Sequence, residues 1–315
     1  MDLCFSPSSS TDGSAYKLLE LPHDLCQLVE NAIDTSSPLW QVYIAIQSRL
    51  LTILFSLKIK GQSGEDAVLC TANKTFAVRS VVLSNSILVV TSPPDASSLD
   101  FADDAVVIRD QVTEILELTP AVPKLHTLST LLRGKEFDGD HDDDDGYAET
   151  TDATKMTYDD ALQTIQASDI ELERGLRERH ILVYNGELRP IAPAYLDHLL
   201  ELFLTVLVAL SLSHESASVE AMSSSLADDH QVPRPISTQI MSWFGEIEDG
   251  KWKMNVNALI KEVGLGILRH HQPISQDELI AQWKLLVGDT FTSKVNLELL
   301  SVRYDIHLFV TRIYY

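Results

Sequence analysis

The dipeptide Asn185-Gly186 restricts the fold of this chain more than any other feature of the sequence. It stands between two short strand-like runs, Ile181–Tyr184 and Glu187–Arg189. Both central residues of a two-residue hairpin turn need positive φ, which Asn and Gly adopt most readily. The sequence therefore predicts a β-hairpin at this point, closed by a tight turn.

Helical patterns flank this hairpin on both sides. One helix is predicted over residues 158–166, and Ser168 or Asp169 can cap a second helix. A long apolar helix is predicted to begin at Ala194. Two helices, a hairpin and a further helix are typical of a winged-helix unit, so we predict a first winged-helix-like domain over residues 154–230.

Helical signals resume after Pro233-Arg234-Pro235 and predict a second winged-helix-like domain over residues 231–315. Its helices are predicted at 236–244, 256–268, 279–287 and 292–300. Ser275 opens a capping box before the third of these. No wing hairpin is obvious, and residues 306–315 are expected to supply one of its strands. The domain is expected to be truncated.

Residues 57–118 follow a different pattern, in which short β-branched runs alternate with turn formers. Strands are predicted at 57–60, 67–70, 75–81, 87–90 and 106–108. Many short strands in so few residues favour a small antiparallel β-barrel-like domain, with edges that another chain could pair with. The predicted fold is thus α+β: a flexible tail at 1–16, a β-barrel-like domain at 17–122, and helical domains of the winged-helix type.

A helix and an acidic linker are predicted over residues 123–153, between the β region and the helical domains. A calcium loop needs glycine at its sixth position and a carboxylate at its twelfth. Counted from Asp140, these positions hold Asp145 and Thr151, so the stretch is interpreted as a solvated linker. Two apolar stretches, 39–57 and 202–212, are interpreted as core segments rather than membrane spans, since the first contains polar residues and the second is too short.

Composition argues against a free-standing DNA-coating protein. The formal charge is −22, whereas such proteins usually carry a basic excess that neutralises phosphates. Residues 231–315 contain equal numbers of basic and acidic residues, so weak phosphate contact by one face is left open. The three cysteines show neither a disulfide framework nor the spacing of a zinc site.

No motif for catalysis is recognised. Gly134-Lys135 and Gly250-Lys251 lack the hydroxyl residue that follows the lysine of a phosphate-binding loop. His270 and His271 are adjacent, so on a helix they point about 100° apart and cannot chelate a metal together. We therefore predict no catalytic residues, no cofactor and no metal. An alternative function is a winged-helix transcription or chromatin regulator, although residues 169–179 mix acids with arginines.

Several motifs in a fixed order resemble the Dcc-type sister-chromatid-cohesion family. The most specific is the string Asp66 to Arg79, DAVLCTANKTFAVR, which continues to Ser84-Asn85-Ser86. The other motifs are Leu18–Pro22, Ile59–Gly61, Glu117–Thr119 with Pro123, Ile165–Ser168, Glu171-Leu172 and Gly175-Leu176. Together they cover most of residues 17–300.

This resemblance implies a nuclear, non-catalytic subunit of an alternative replication factor C complex. Such a subunit joins a small partner and the C-terminal tail of a large ATPase subunit through a shared β-barrel, and links the loader of the PCNA clamp to DNA polymerase epsilon. Its winged helices contact DNA. The candidate partner-binding residues are Leu69, Thr71, Lys74, Phe76, Arg79 and Asn85. The candidate DNA-contact residues are Lys261, Arg269, Lys284 and Lys294.

Two departures from the family pattern are expected to matter. Residues 36–55 stand where a short link is expected and are interpreted as an insertion. After Leu300 the family would continue through a wing and a further winged helix, whereas this sequence stops at Tyr315. DNA contact is therefore expected to be weaker than in the family, while partner binding by the β region is expected to remain.

Overall fold

The computed structural model describes residues 3–5, 16–27, 57–62, 64–91, 106–139, 155–270 and 274–300. The predicted insertion, most of the acidic linker and the predicted terminal strand lie outside these ranges. The chain forms two compact units, one of residues 1–127 with 162–173 and one of residues 128–161 with 174–315. None of the helices in the described ranges is both long enough and apolar enough to cross a membrane.

The first unit is built on one mixed β-sheet. Its strands are β1 (Leu3–Phe5), β2 (Leu18–Glu20), β3 (Lys58–Lys60), β4 (Val68–Cys70), β5 (Thr75–Thr91) and β6 (Val106–Pro120). The order is β1-β6-β5-β4-β3, and β2 also pairs with β6. The pairs among β3 to β6 are antiparallel, whereas β1 and β2 run parallel to β6. Over the described residues this sheet is open and is not closed into a barrel, and it is mixed rather than purely antiparallel as predicted.

Strands β5 and β6 make a long two-stranded ribbon where several short strands were predicted. They pair from Phe76 opposite Pro120 to Thr91 opposite Val107. The predicted break at Asn85 is a shift of register between Val82 and Ile87. An irregularity of this kind accommodates a turn-forming residue without ending the strand, which explains why the polar residues were misread as a boundary.

A small core holds one end of the ribbon. It consists of Leu25, Leu69, Phe76 and Leu118, each at most 5% exposed. Residues 23–27 are helical and supply Leu25, which agrees with the described part of the helix predicted from Asp24. The near end of the ribbon is thus fixed by apolar packing on both strands.

The first hairpin of the helical region is confirmed. Strands β7 (Ile181–Tyr184) and β8 (Glu187–Pro190) are antiparallel, with Tyr184 opposite Glu187. Asn185 and Gly186 have φ of 50° and 81°, as the turn requires. Helices α1 (His126–Leu131), α2 (Tyr158–Thr164) and α3 (Asp169–Glu178) precede the hairpin, and α4 (Pro193–Ala209) follows it.

A second hairpin lies where none was predicted. It follows α5 (Val219–His230), which was also not predicted, and α6 (Arg234–Trp243). Its strands are β10 (Gly245–Glu248) and β11 (Lys251–Met254), and β11 also pairs with the short β9 (Ala217–Ser218). The turn residues Asp249 and Gly250 have φ of 49° and 71°. Asp-Gly between two alternating runs is the same turn signal as Asn185-Gly186, so the sequence did carry this information.

The remaining elements largely match the predicted helices. They are α7 (Val256–His270) and α8 (Gln276–Val287), the latter opened by the predicted Ser275–Glu278 capping box. The predicted helix over 292–300 is instead two 3-10 turns, Thr292–Lys294 and Leu297–Leu299.

One continuous hydrophobic core fills the second unit and includes Phe203, Trp252 and Trp283. The Trp283 indole N–H donates to the Ile260 carbonyl at 2.8 Å. Gly264 lies against this ring, and a Cβ there would approach it to 2.7 Å. Helix α4 contributes Leu199, Leu200, Leu204 and Leu207 to the core. The interpretation of residues 202–212 as a core segment is thus confirmed as far as Leu207, whereas Val208 and Leu210 are 60% and 41% exposed.

Candidate partner-binding surface

The loop between β4 and β5 is a tight turn organised by Thr71. Its Oγ1 accepts hydrogen bonds from the Asn73 and Lys74 amides at 3.4 and 3.0 Å. The Thr71 amide donates to the Lys74 carbonyl at 2.9 Å. The Lys74 ammonium lies 2.7 Å from the Asp24 carboxylate, and this hydrogen bond and charge lower the pKa of Asp24. The turn thereby sets the register in which β5 leaves β4.

Lys60 is a buried cation that ties β3 to the segment at residues 162–173 of the same unit. Its side chain is 5% exposed, and its Nζ donates to the carbonyls of Ile165 and Ala167 at 3.2 and 2.6 Å. Burial lowers the pKa of this ammonium. Because its hydrogen bonds go to carbonyls of a segment distant in sequence, Lys60 fixes the position of that segment on the sheet.

A second set of bonds joins the same segment to β5. The Glu171 Oε2 accepts from the Thr75 hydroxyl at 2.6 Å and from the Ser168 amide at 3.0 Å. The Ser168 hydroxyl accepts in turn from the Glu171 amide at 3.3 Å, which completes a capping box at the start of α3. Lys58 adds an ion pair with Asp169 at 2.7 Å. Motifs about a hundred residues apart in the sequence are thus adjacent in space.

The far half of the ribbon exposes apolar side chains. We call residues 82–90 of β5 the ribbon end. Its exposed hydrophobic residues are Val82 (74%), Ile87 (41%), Leu88 (41%) and Val90 (45%). A group of adjacent exposed hydrophobic residues on a strand is uncommon on a protein that works alone and typically marks an interaction surface.

The ribbon end also has an open edge. Strand β4 pairs with β5 only over Thr75 to Ala77, and the Val78 amide makes one further bond to the Ala67 carbonyl. Beyond Val78, the strand that pairs with β5 in the described part of the chain is β6. The outward-facing peptide groups of β5 are therefore positioned to accept another strand.

The predicted partner-binding residues divide into two groups. Leu69 and Phe76 are 3% exposed and belong to the core of the first unit, and Thr71 serves the turn. Lys74, Arg79 and Asn85 are exposed, the last two along the open stretch of β5. Whether any of them contacts a partner stays a prediction.

Sequence reasoning missed the apolar residues of the ribbon end as candidates. The run Ile87-Leu88-Val89-Val90 has no alternation of apolar and polar residues. A strand with one face in water alternates, whereas a strand covered on both faces does not. This absence of alternation was the available signal that both faces of the strand are meant to be covered.

The predicted DNA-contact residues lie on three elements of the second unit. Lys261 and Arg269 are on α7, Lys284 is on α8, and Lys294 is on the first 3-10 turn. Lys284 and Lys294 are exposed, whereas Lys261 is half-buried. Arg269 is already paired with Asp197 at 2.7 Å and with Glu262 at 3.0 Å, so its charge is largely neutralised within the protein.

The described residues contain no group of three or more His, Cys, Asp or Glu side chains placed to hold a metal ion. The buried Cys70 thiol lies 3.7 Å from the Thr75 hydroxyl, and burial raises its pKa. A raised thiol pKa disfavours the nucleophilic thiolate, so Cys70 is a packing residue.

A family model and several curated proteins match this chain. The family model described as sister chromatid cohesion protein Dcc1 matches residues 16–312. A probable sister chromatid cohesion protein of Dictyostelium discoideum is 32% identical over 151 residues, which is 47% of this chain and 36% of that protein. The Xenopus tropicalis protein is 28% identical over 188 residues (58% and 41%), and the human protein is 27% identical over 176 residues (54% and 38%).

These alignments cover well under half the length of each relative, between 36% and 41% of the three proteins named. The family model, in contrast, matches nearly the whole chain, including both the ribbon and the two hairpins. The chain belongs to the sister chromatid cohesion protein Dcc1 family.

Proposed function

We propose that this chain is a non-catalytic scaffold subunit of an alternative replication factor C complex in the nucleus. In this role it joins the large ATPase subunit and a small accessory subunit, and it connects them to DNA polymerase epsilon. The complex loads or unloads the PCNA clamp and so supports sister chromatid cohesion and DNA replication. The ATPase activity belongs to other subunits, and this chain contacts PCNA indirectly.

The main support for this proposal is the structure of the ribbon end. It combines exposed Val82, Leu88 and Val90 with an open strand edge. A partner strand placed along β5 would satisfy the free peptide groups and cover the apolar side chains at the same time. The described strands form an open sheet, and strands from two partners would complete the barrel that the family resemblance implies.

The internal bonds of the first unit support this role. Lys60, Thr75 and Glu171 connect β3 and β5 to the segment at residues 162–173 through buried or half-buried hydrogen bonds. This arrangement holds the near half of the ribbon rigid before any partner arrives. A preformed edge lowers the entropy that must be lost on binding.

We infer that residues 154–230 and 231–315 form two winged-helix-type modules. The support is that each range contains a helical segment followed by a two-stranded hairpin, α2, α3 and β7–β8 in the first range and α6 and β10–β11 in the second. Weak DNA contact through Lys261, Lys284 and Lys294 is part of this proposal.

The alternative, a winged-helix regulator that binds DNA by itself, is less well supported. The lysines of the second hairpin lie opposite acids, because Glu246 pairs with Lys253 and Glu248 with Lys251 across the strands. With Asp249 in the turn the hairpin has more acids than lysines, so it attracts phosphates poorly.

The decisive experiment is co-expression of the full chain with the small accessory subunit and the C-terminal tail of the large ATPase subunit. Size-exclusion chromatography with light scattering would then measure the mass of the product. We expect a stable complex with one copy of each component. A chain that remains monomeric beside both partners would contradict the proposal.

A double variant localises the interface. Val82→Glu combined with Val90→Glu places two charges on the ribbon end, where both residues are exposed, so folding should be little affected. We expect the complex to be lost. Val122→Glu is the matched control, since Val122 is 89% exposed and lies beyond the end of β6. If the double variant assembles as well as the control, the ribbon end is not the interface.

A further inference from the structure

A groove between α4, α7 and α8 forms a second apolar surface, in the second unit. Its volume is about 290 Å³, and its floor is formed by Val263, Ile267 and Leu286. Leu285 forms part of the rim and is 80% exposed. This volume is at the lower limit for small-molecule sites, so the groove suits side chains of a protein partner.

Leu285 buries little of its side chain in the described structure. It lies in the last turn of α8, next to the fully buried Trp283 and the buried Val287 that fix this helix to the core. Residues 281, 282 and 285 share one helical stripe by their spacing. A rigid helix therefore presents Leu285 beside the groove.

The rim of the groove is acidic. Asp197 and Glu201, one turn apart on α4, line one side. Arg269 contacts Asp197 at 2.7 Å and Glu262 at 3.0 Å, and the His270 imidazole lies 3.1 Å from Asp197. Two carboxylates, those of Asp197 and Glu262, thus share the Arg269 guanidinium. In the described part of the chain Glu201 makes no ion pair.

This charge distribution decides which kind of partner the groove can accept. Phosphates of a nucleic acid would be repelled by the excess carboxylates. Arg269 does not pair with Glu201, so a cationic side chain of a partner placed opposite Glu201 could form an ion pair with it.

We propose that the groove binds an amphipathic helix of another protein, with leucine-like residues on one face and Lys or Arg beside them. The apolar face would enter between Leu285 and the groove floor, and a basic residue would reach Glu201. This is the usual arrangement of a helix in a groove. The site is separate from the ribbon end, so the proposal does not depend on the scaffold role.

Synthetic helices provide a direct test on the full chain. The first probe is a fluorescent alanine-based helix of about 18 residues, long enough to be helical, with a leucine stripe flanked by lysines. A second probe carries serines in place of the leucines, and a third carries glutamates in place of the lysines. Fluorescence anisotropy measures the affinity of each.

We expect the first probe to bind and the other two to bind at least about tenfold more weakly. Leu285→Glu should weaken binding of the first probe by about tenfold or more, since it places a charge in the contact. Glu201→Lys should weaken the first probe and strengthen the third. Val122→Glu, the same type of change at an exposed site of the first unit, should leave all affinities unchanged.

Several results would overturn the proposal. These are no binding of the first probe, equal binding of the serine probe, or equal affinities in Leu285→Glu and Val122→Glu. The last two would mean general attraction to an acidic protein. A wild-type dimer by light scattering that Leu285→Glu dissociates would show that a second copy of this chain occupies the groove.

Discussion

The two units use the same kinds of apolar residues in opposite ways. In the second unit both hairpins have strands of four residues and are anchored by buried side chains such as Leu182, Leu188 and Trp252. In the first unit the ribbon has strands of 17 and 15 residues, and its far half exposes Val82 and Val90. The second unit thus completes its own core, whereas the first leaves apolar side chains of the ribbon end exposed in the described structure.

The largest expected effect is the loss of stability on truncating a side chain in the core of the second unit. Trp283→Ala removes a fully buried ring and its hydrogen bond to the Ile260 carbonyl. We expect it to lower the free energy of unfolding by about 3–5 kcal/mol. Urea denaturation followed by far-UV circular dichroism measures this loss.

Truncation to alanine on the ribbon end tests the contrast between this exposed surface and the core of the second unit. Val82→Ala changes a residue that is 74% exposed, so the free energy of unfolding should change by less than about 0.5 kcal/mol. A loss comparable with that of Trp283→Ala would mean that residues of this chain cover Val82, and the contrast between the units would disappear.

A loss of stability smaller than that of Trp283→Ala, but larger than that of Val82→Ala, is expected in the polar network of the first unit. Thr75→Val retains the shape of the side chain but removes the hydroxyl that donates to Glu171 and accepts from the Ser168 amide. Thr75 is 3% exposed, so we expect a loss of about 1–3 kcal/mol.

Thr113→Val is the matched control, because Thr113 lies on β6 with an exposed side chain. It should change the free energy of unfolding by less than about 0.5 kcal/mol. If both variants unfold at the same urea concentration, the bonds of Thr75 do not stabilise the first unit.

Local signals in the sequence predicted the helical region well. Asn185-Gly186 and the capping box at Ser275 depend on a few neighbouring residues, and both are confirmed. Asp249-Gly250 is the same kind of signal and marks the turn of the second hairpin, which was not predicted from the sequence. The α+β class and most helices therefore followed from local pattern alone.

The first unit could be predicted less well, because its features depend on contacts that are distant in sequence. The pairing of Lys60 with the Ile165 and Ala167 carbonyls joins residues more than a hundred positions apart. No local pattern encodes such a contact. The ribbon was misread as separate strands, because a turn-forming residue such as Asn85 can stand within a strand at a register shift.

Substituting the turn glycines of the second unit should cause a loss of stability of intermediate size. Gly186→Ala and Gly250→Ala place a Cβ at φ of 81° and 71°, in open space. Because the strain is local to the backbone, each should lower the free energy of unfolding by about 1–2 kcal/mol. Loss of either hairpin's protection from hydrogen exchange without global destabilisation would show that the hairpins are not integral to the core.

The smallest expected effect concerns pH and also separates the two units. His180 stacks against Phe244 at 5.7 Å and approaches Trp243 at 5.3 Å. Burial lowers its pKa, opposed by the charges of Glu262 and Asp197 and assisted by Arg269. In the unfolded chain the imidazole has its ordinary pKa of about 6.5. As the pH falls through that value, the unfolded state binds the proton first, so the second unit loses stability at acidic pH.

His180→Phe retains the stacking and removes the titration. Thermal unfolding of the wild-type and variant chains between about pH 7.5 and about pH 5.5 isolates the contribution of His180. The wild-type midpoint should fall more than that of the variant, because the carboxylates common to both chains cancel in the difference. Equal slopes would mean that His180 is solvated in the folded protein, and that the junction between β7 and the C-terminus of α6 is looser than the stacked rings indicate.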